Sequence, residues 1–211
     1  MPVDPSVFAG FVLASLILVA IPGPTVAMVV GQALSHGRTV AMASVLGVGL
    51  GDLIAASLSL AGVGALLAAS ATAFAVLKWL GAAYLVYLGI KLWRSPPSPT
   101  KVSAAKAGDR RPAHIFRDAF LVTLFNPKGL VFFAAFVPQF VVADLPYLPQ
   151  AIVYVLTFVL IGIVNAAFYA RLATSARALL TRPQALRMVG RAGGVFLIGA
   201  GMASALARRP G

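Results

Sequence analysis

Charged and amide side chains are rare in this sequence, and those inside long apolar runs are where chemistry is expected. Residues 121–140 read LVTLFNPKGLVFFAAFVPQF, with Asn126, Pro127 and Lys128 side by side. A Lys at the centre of a bilayer costs about 2.5–3.5 kcal/mol on insertion scales. Counted from residue 116 at about 1.5 Å per residue, Lys128 lies about 18 Å into its span, too central for easy snorkelling. It should face an aqueous cavity or a carboxylate. A half-helix starting at Pro127 would also aim backbone N–H groups at an anion, so a Lys beside it makes a plausible carboxylate site.

Asp52 is the one acid expected inside the membrane, preceded by Gly47, Gly49 and Gly51. It lies about 20 Å from the start of its helix by the same rise. A lone intramembrane carboxylate is a candidate for protonation or for pairing. A static Asp52–Lys128 ion pair is the plainer alternative, and both hold if the pair breaks in a working cycle. Pro22 and Pro24 flank Gly23 inside another apolar run. Two prolines with a glycine should break that helix and free backbone groups, which protein, water or ligand must then satisfy. Lys78, beside Trp79, reads as a snorkelling residue. Tyr84 and Tyr87 read as packing residues, and Pro138 and Gln139 as a cap or the lining of an exit.

The elements that carry these residues are membrane helices. The chain is 60% hydrophobic and 10% charged, with a mean hydropathy of +0.95, whereas soluble domains are about a quarter charged. Six runs are long enough at about 20 residues per span: residues 6–33, 39–68, 71–93, 116–142, 148–172 and 190–207. They are unbroken and rich in Leu, Ala, Val and Gly, which excludes the alternating strands of a β-barrel. No Lys or Arg precedes Arg38, so the first run lacks the basic region of a cleaved signal and is expected to stay.

The net charge of +12 reflects loops rather than a nucleic-acid surface. The first, third and fifth connections (34–38, 94–117 and 173–191) are basic, and the second and fourth are not. The positive-inside rule makes the basic ones cytoplasmic and turns both termini outward, although Arg208 and Arg209 oppose the last assignment. Residues 94–115, rich in Pro, Ser and Ala, read as a linker between three-helix halves at 1–93 and 116–211.

Three helices is an odd number, so the second half enters the membrane inverted. The halves also match in order. IPGP (21–24) falls opposite FNPK (125–128), Gly49-Leu50-Gly51-Asp52 opposite Gly162-Ile163-Val164-Asn165, and Lys78-Trp79-Leu80-Gly81 opposite Arg191-Ala192-Gly193-Gly194. Inverted repeats with breaks in corresponding helices point to a secondary transporter whose substrate site lies near the midplane.

Taken together, Pro22-Gly23-Pro24, Gly47-x-Gly49-x-Gly51-Asp52, Lys78-x-x-Gly81-Ala82-Ala83-Tyr84-Leu85, Asn126-Pro127-Lys128 with Phe132-Phe133, and Pro138-Gln139-Phe140 resemble the lysine exporter (LysE/RhtB) family of amino-acid exporters. The resemblance implies a multi-pass protein of the bacterial cytoplasmic membrane that exports amino acids or close derivatives, driven by the proton gradient. Many similar chains carry Asn after Pro-Gly-Pro where this one has Thr25, a departure that bears on substrate.

The resulting expectation is an all-α membrane protein of six helices in two inverted repeats, with helices 1 and 4 broken at Pro. Pro22, Gly23, Pro24, Thr25, Asn126, Pro127, Lys128 and Asn165 would line the substrate site. Asp52, paired or not with Lys128, would bind the substrate ammonium or the coupling proton. The alternatives are a carrier of another small solute or ion on the same fold, or a membrane partner subunit. With no nucleophile–base pair, no Cys and one membrane carboxylate, neither an enzyme nor a metal or cofactor site is expected. The partners are a small solute and the bilayer, with no nucleic acid, and small-residue patterns such as Gly190-x-x-x-Gly194 leave a homo-oligomer open.

Overall fold

The computed structural model describes residues 2–94, 111–175 and 183–206. Most of the 94–115 linker, the middle of the 173–191 connection and Arg208 and Arg209 lie outside these residues. Every regular element among the described residues is helical.

Helix α1 spans Pro5–Ala20. Its start is fixed by Pro5 in the first turn and by Asp4, whose carboxylate accepts hydrogen bonds from the Ser6 and Val7 N–H groups. The Ser6 hydroxyl and the Val7 N–H hold that carboxyl below the usual carboxylate range. The helix stops before Pro22 and Gly23. Helix α2 then begins at Pro24, with the axis bent by 54° between Pro5–Ala20 and Pro24–Ser35. Proline at the first position of a half-helix removes a donor that would lack a partner anyway.

The backbone is helical throughout α2, Pro24–Ala69, but α2 is not one rod. Val26 and Val48 line the same cavity, and a straight helix would hold them about 33 Å apart. The arms 24–35 and 41–65 therefore fold back on each other. The first connection, expected as a loop at 34–38, is thus a reversal whose backbone keeps helical hydrogen bonding.

Helix α3 (Ala71–Arg94) follows directly. Its start is marked by Ser70, whose hydroxyl accepts from the Ala73 N–H. Helix α4 (Pro112–Leu124) ends at Phe125, and α5 (Pro127–Val131) starts afresh with Asn126 as its cap. It runs on through a π-helical turn at Phe132–Phe136 and a 3-10 turn at Val137–Phe140. Helices α6 (Tyr147–Ser175) and α7 (Pro183–Leu206) complete the chain, with α7 beginning seven residues before the expected 190.

Four described segments are long and apolar enough to cross a membrane: Ala41–Ala65, Thr72–Arg94, Pro112–Phe140 and Tyr147–Ala173. The broken pair Pro5–Ala20 and Pro24–Ser35 makes a fifth if taken as one span, and Gly190–Leu206 is a shorter apolar helix. Large apolar side chains such as Leu46, Leu58, Leu80, Leu148, Leu160 and Leu206 are exposed on this bundle, as befits a surface whose solvent is lipid.

Inside, small residues let helices touch. Helices α3 and α7 meet at Lys78 with Ala205, Ala82 with Gly201 and Gly89 with Gly194. One number rises as the other falls, so the pair is antiparallel. A Cβ on Gly89 would lie 2.7 Å from the Gly194 carbonyl oxygen. Helices α2 and α6 are antiparallel too, meeting at Gly49 with Ile163, Asp52 with Gly162 and Leu60 with Tyr147. Two buried clusters result. One is aromatic, around Phe11, Phe132, Phe133, Phe136, Tyr154 and Phe158. The other is built of Val and Ala, including Val26, Val29, Val45, Val48, Ala166 and Ala170.

Candidate functional site

The cut end of α1 is the centre of the site. A helix leaves its last carbonyls short of intrahelical partners, and here those of Leu18, Val19 and Ile21 make part-buried bonds while that of Ala20 is exposed. Each receives a donor from the second half of the chain. Lys128 Nζ donates to the Leu18 and Ile21 oxygens, both at 2.9 Å. Asn165 Nδ2 donates to the Val19 oxygen at 3.1 Å, and the Tyr169 hydroxyl to the Ala20 oxygen at 2.9 Å. A cation at a helix C-terminus is also favoured by the helix dipole. The Lys128 charge is therefore met by backbone oxygens of the broken helix.

The second break faces the first. Asn126 is buried. Its Oδ1 accepts from the Lys128 N–H at 3.2 Å, and its Nδ2 donates to Thr25 Oγ1 at 3.1 Å. Thr123 adds a longer hydroxyl contact to Thr25, 3.4 Å. Thr25 thus bridges the two broken segments.

Between the breaks lies a cavity of about 40 Å³. At roughly 10–15 Å³ per water, that is room for about three waters. Gly23, Thr25, Asp52, Asn126, Lys128 and Asn165 line it, with Leu18, Val19, Gly129 and Gly162 beside them. Phe158 closes it toward the aromatic cluster, and Val26, Val29, Val48 and Ala166 toward the Val/Ala cluster. Asp52 Oδ2 sits where a side chain on Gly162 would stand, so the carboxylate occupies the space that this glycine leaves. No ion pair joins Asp52 to Lys128 among the described residues.

The structure therefore gathers six of the expected residues on one cavity. Pro22, Pro24 and Pro127 do not line it, and Pro24 and Pro127 are exposed. They shape the breaks. Lys78 lies apart, donating to the Ala205 oxygen at 3.4 Å with its ammonium 5.6 Å from the Trp79 ring centre. Gln139 donates to the Ala135 oxygen and to Ser204, which makes it a tie between α7 and the turns after α5. Tyr169 and Gly162 belong to the site although the sequence did not single them out as lining it. Tyr169 lies four residues, about one helical turn, beyond Asn165, and that spacing was the signal available.

The LysE type translocator description matches residues 16–208. The chain belongs to that family. A homoserine/homoserine lactone efflux protein of Salmonella typhimurium is 35% identical over 92% of this chain and 95% of its own length. The protein of the same name in Salmonella typhi is 34% identical over the same shares. An uncharacterized membrane protein of Vibrio cholerae is 31% identical over 97% of this chain and 99% of its own. No solved structure matches. As a LysE type translocator the chain is a multi-pass membrane protein of amino-acid export and not an enzyme.

Proposed function

We propose that this translocator exports homoserine-like amino acids or their lactones from the bacterial cytoplasm by proton-coupled alternating access, with the cavity between the two breaks as its substrate site. The observation that carries the reading is the cross-chain bonding of the α1 end by Lys128, Asn165 and Tyr169 around a cavity that also holds Asp52. A substrate carboxylate would compete with the Leu18 and Ile21 oxygens for the Lys128 ammonium. Asp52 would receive the substrate ammonium in one state and the coupling proton in another. Thr25, Asn126 and Asn165 supply neutral hydrogen bonds suited to a hydroxyl or a lactone carbonyl. At about 40 Å³ the cavity must widen to admit an amino acid, as an occluded state would.

The same proposal takes the bundle as six spans in two inverted three-helix repeats, divided at 94–115, with the basic connections in the cytoplasm. The antiparallel pairs α3–α7 and α2–α6 support it, because each joins helices that correspond between the halves. The tetrads 49–52 and 162–165, aligned in sequence, pack on each other through Gly49–Ile163 and Asp52–Gly162.

The test is efflux of labelled homoserine and its lactone from proteoliposomes with and without a pH gradient. Gradient-stimulated efflux of either supports the reading. A carrier active on other solutes but inert toward both removes the substrate assignment. Flux indifferent to the gradient removes the coupling.

A further inference from the structure

Three buried side-chain oxygens have no hydrogen-bond partner among the described residues: Ser15 Oγ, Gln32 Oε1 and Ser44 Oγ. Their residues are 0%, 4% and 0% exposed. Buried polar atoms are nearly always bonded, and each exception asks for an explanation such as a water or a ligand. The three are not scattered. Ser15 precedes the cavity-lining Leu18 and Val19 by three and four residues, one helical turn. Gln32 follows the cavity-lining Thr25 and Val29 by seven and three. Ser44 precedes Val48 by four, and Val48 precedes Asp52 by four. Each oxygen thus extends a helical stripe that already lines the cavity.

Their depths are also ordered. From the level of Val26 and Val48, Gln32 lies about 9 Å and Ser44 about 6 Å toward the reversal of α2, so the two stand within about 3 Å of one level. Their chain neighbours Ala33 and Val45 belong to the Val/Ala cluster. Ser15 lies about 5 Å beyond Leu18 in the opposite direction, one helical turn from Phe11 of the aromatic cluster.

We infer that Ser44 with Gln32, and Ser15, are polar stations on the two sides of the central cavity, and that together they mark the permeation route. The proposal rests on the transport reading above and adds the path to it. The Gln32 oxygen can only accept and the serine hydroxyls accept as well as donate. The stations therefore suit a solute carrying N–H or O–H donors, such as an ammonium or a hydroxyl. On the proposed orientation, Gln32 and Ser44 form the cytoplasmic station and Ser15 the outer one.

The native chain has no cysteine, so single thiols can report the route. The full-length variants Ser15→Cys, Ser44→Cys and Leu85→Cys are placed in proteoliposomes. They are treated with a membrane-impermeant cationic thiosulfonate from each side, with and without a solute that the wild type is shown to move. Leu85 is buried on α3 away from the cavity and serves as the control. Ser44→Cys is expected to react from the α2-reversal side, Ser15→Cys from the other, and the solute to slow both. Thiols at 15 and 44 that react no faster than that at 85 overturn the route. This outcome is independent of whether homoserine is the solute, which the wild-type flux decides separately. Gln32→Met is the second arm. A rise of about five-fold in half-saturation, at unchanged or higher thermal stability, is the loss expected for one neutral hydrogen bond. Unchanged half-saturation removes Gln32 from the route.

Discussion

The Lys128 ammonium nitrogen stands 2.9 Å from the carbonyl oxygen of Ile21, a residue 107 positions earlier in the chain. With the second bond to Leu18, one side chain closes the end of a helix that belongs to the other half. Lys128→Met should leave the Ile21 oxygen without a donor and the Leu18 oxygen with only the Ile21 N–H, at 3.2 Å. A buried group left unpaired costs about 1–3 kcal/mol, so thermal stability in detergent should fall and efflux should drop by at least about ten-fold. Lys128→Arg should keep more stability than Met. Wild-type efflux by the Met variant would remove Lys128 from the site.

Asn165 and Tyr169 hold the two remaining oxygens of the same helix end, one bond each. Both are neutral donors, worth about 0.5–1.5 kcal/mol net. Tyr169→Phe should therefore reduce transport less than Lys128→Met does, and Asn165→Leu more than Tyr169→Phe because Asn165 also lines the cavity. Efflux rates of the three variants at matched expression give the order. An order led by Tyr169→Phe would mean that the helix end is not held as described.

Much of this site is legible in the amino-acid sequence. Pro22, Pro24, Asn126, Pro127, Lys128 and Asp52 stand out because each is costly in an apolar helix, and cost is visible in sequence. Asn165 emerges only by its match to Asp52 in the other half. What Lys128 touches is not legible, because its partners are backbone oxygens and every residue has one. The choice between an Asp52 pair and a helix end depends on where α1 is cut, and a break of a few residues is not located that finely by composition. Tyr169 looks like any helix tyrosine for the same reason. The reversal of α2 falls where the sequence places it, but its helical hydrogen bonding depends on packing between the two arms.

Glycines separate packing from function in this bundle. A Cβ on Gly89 would meet the Gly194 carbonyl oxygen at 2.7 Å, and backbone on both sides cannot yield without parting α3 from α7. A Cβ on Gly162 would meet only the Asp52 carboxylate, which can rotate away. Gly89→Ala should thus cost the roughly 1–3 kcal/mol of stability typical of overpacking and lower the melting temperature clearly. Gly162→Ala should lower it little while reducing transport, because the carboxylate leaves its place. Parallel melting and efflux measurements decide this, and a Gly162→Ala variant with full efflux would show that the position of Asp52 is not critical.

At the entrance to α1, Asp4 offers a prediction in pH. Its carboxyl is held below the usual carboxylate range by the Ser6 hydroxyl and the Val7 N–H. A depressed acid contributes stability in full above the ordinary value of about 3.9 and loses it as pH falls through the lower folded value. Asp4→Asn keeps a capping oxygen but cannot titrate. As pH falls below about 3.9, the Asn variant should therefore lose less stability than the wild type. Identical acid profiles would mean that Asp4 does not govern this end of the helix.

Asp52 carries the coupling step of the proposed cycle, and Asn replaces it with nearly the same shape and no exchangeable charge. If Asp52 takes the coupling proton, Asp52→Asn should move substrate down its own gradient yet gain nothing from a pH gradient. If it only binds the substrate ammonium, half-saturation should rise by about ten-fold or more, as for losing a charged hydrogen bond, while stimulation by the gradient persists. The two outcomes differ in readout, so one set of flux curves distinguishes them. Unchanged gradient-driven flux at unchanged half-saturation would refute both roles and leave Asp52 as a carboxylate that merely fills the space beside Gly162.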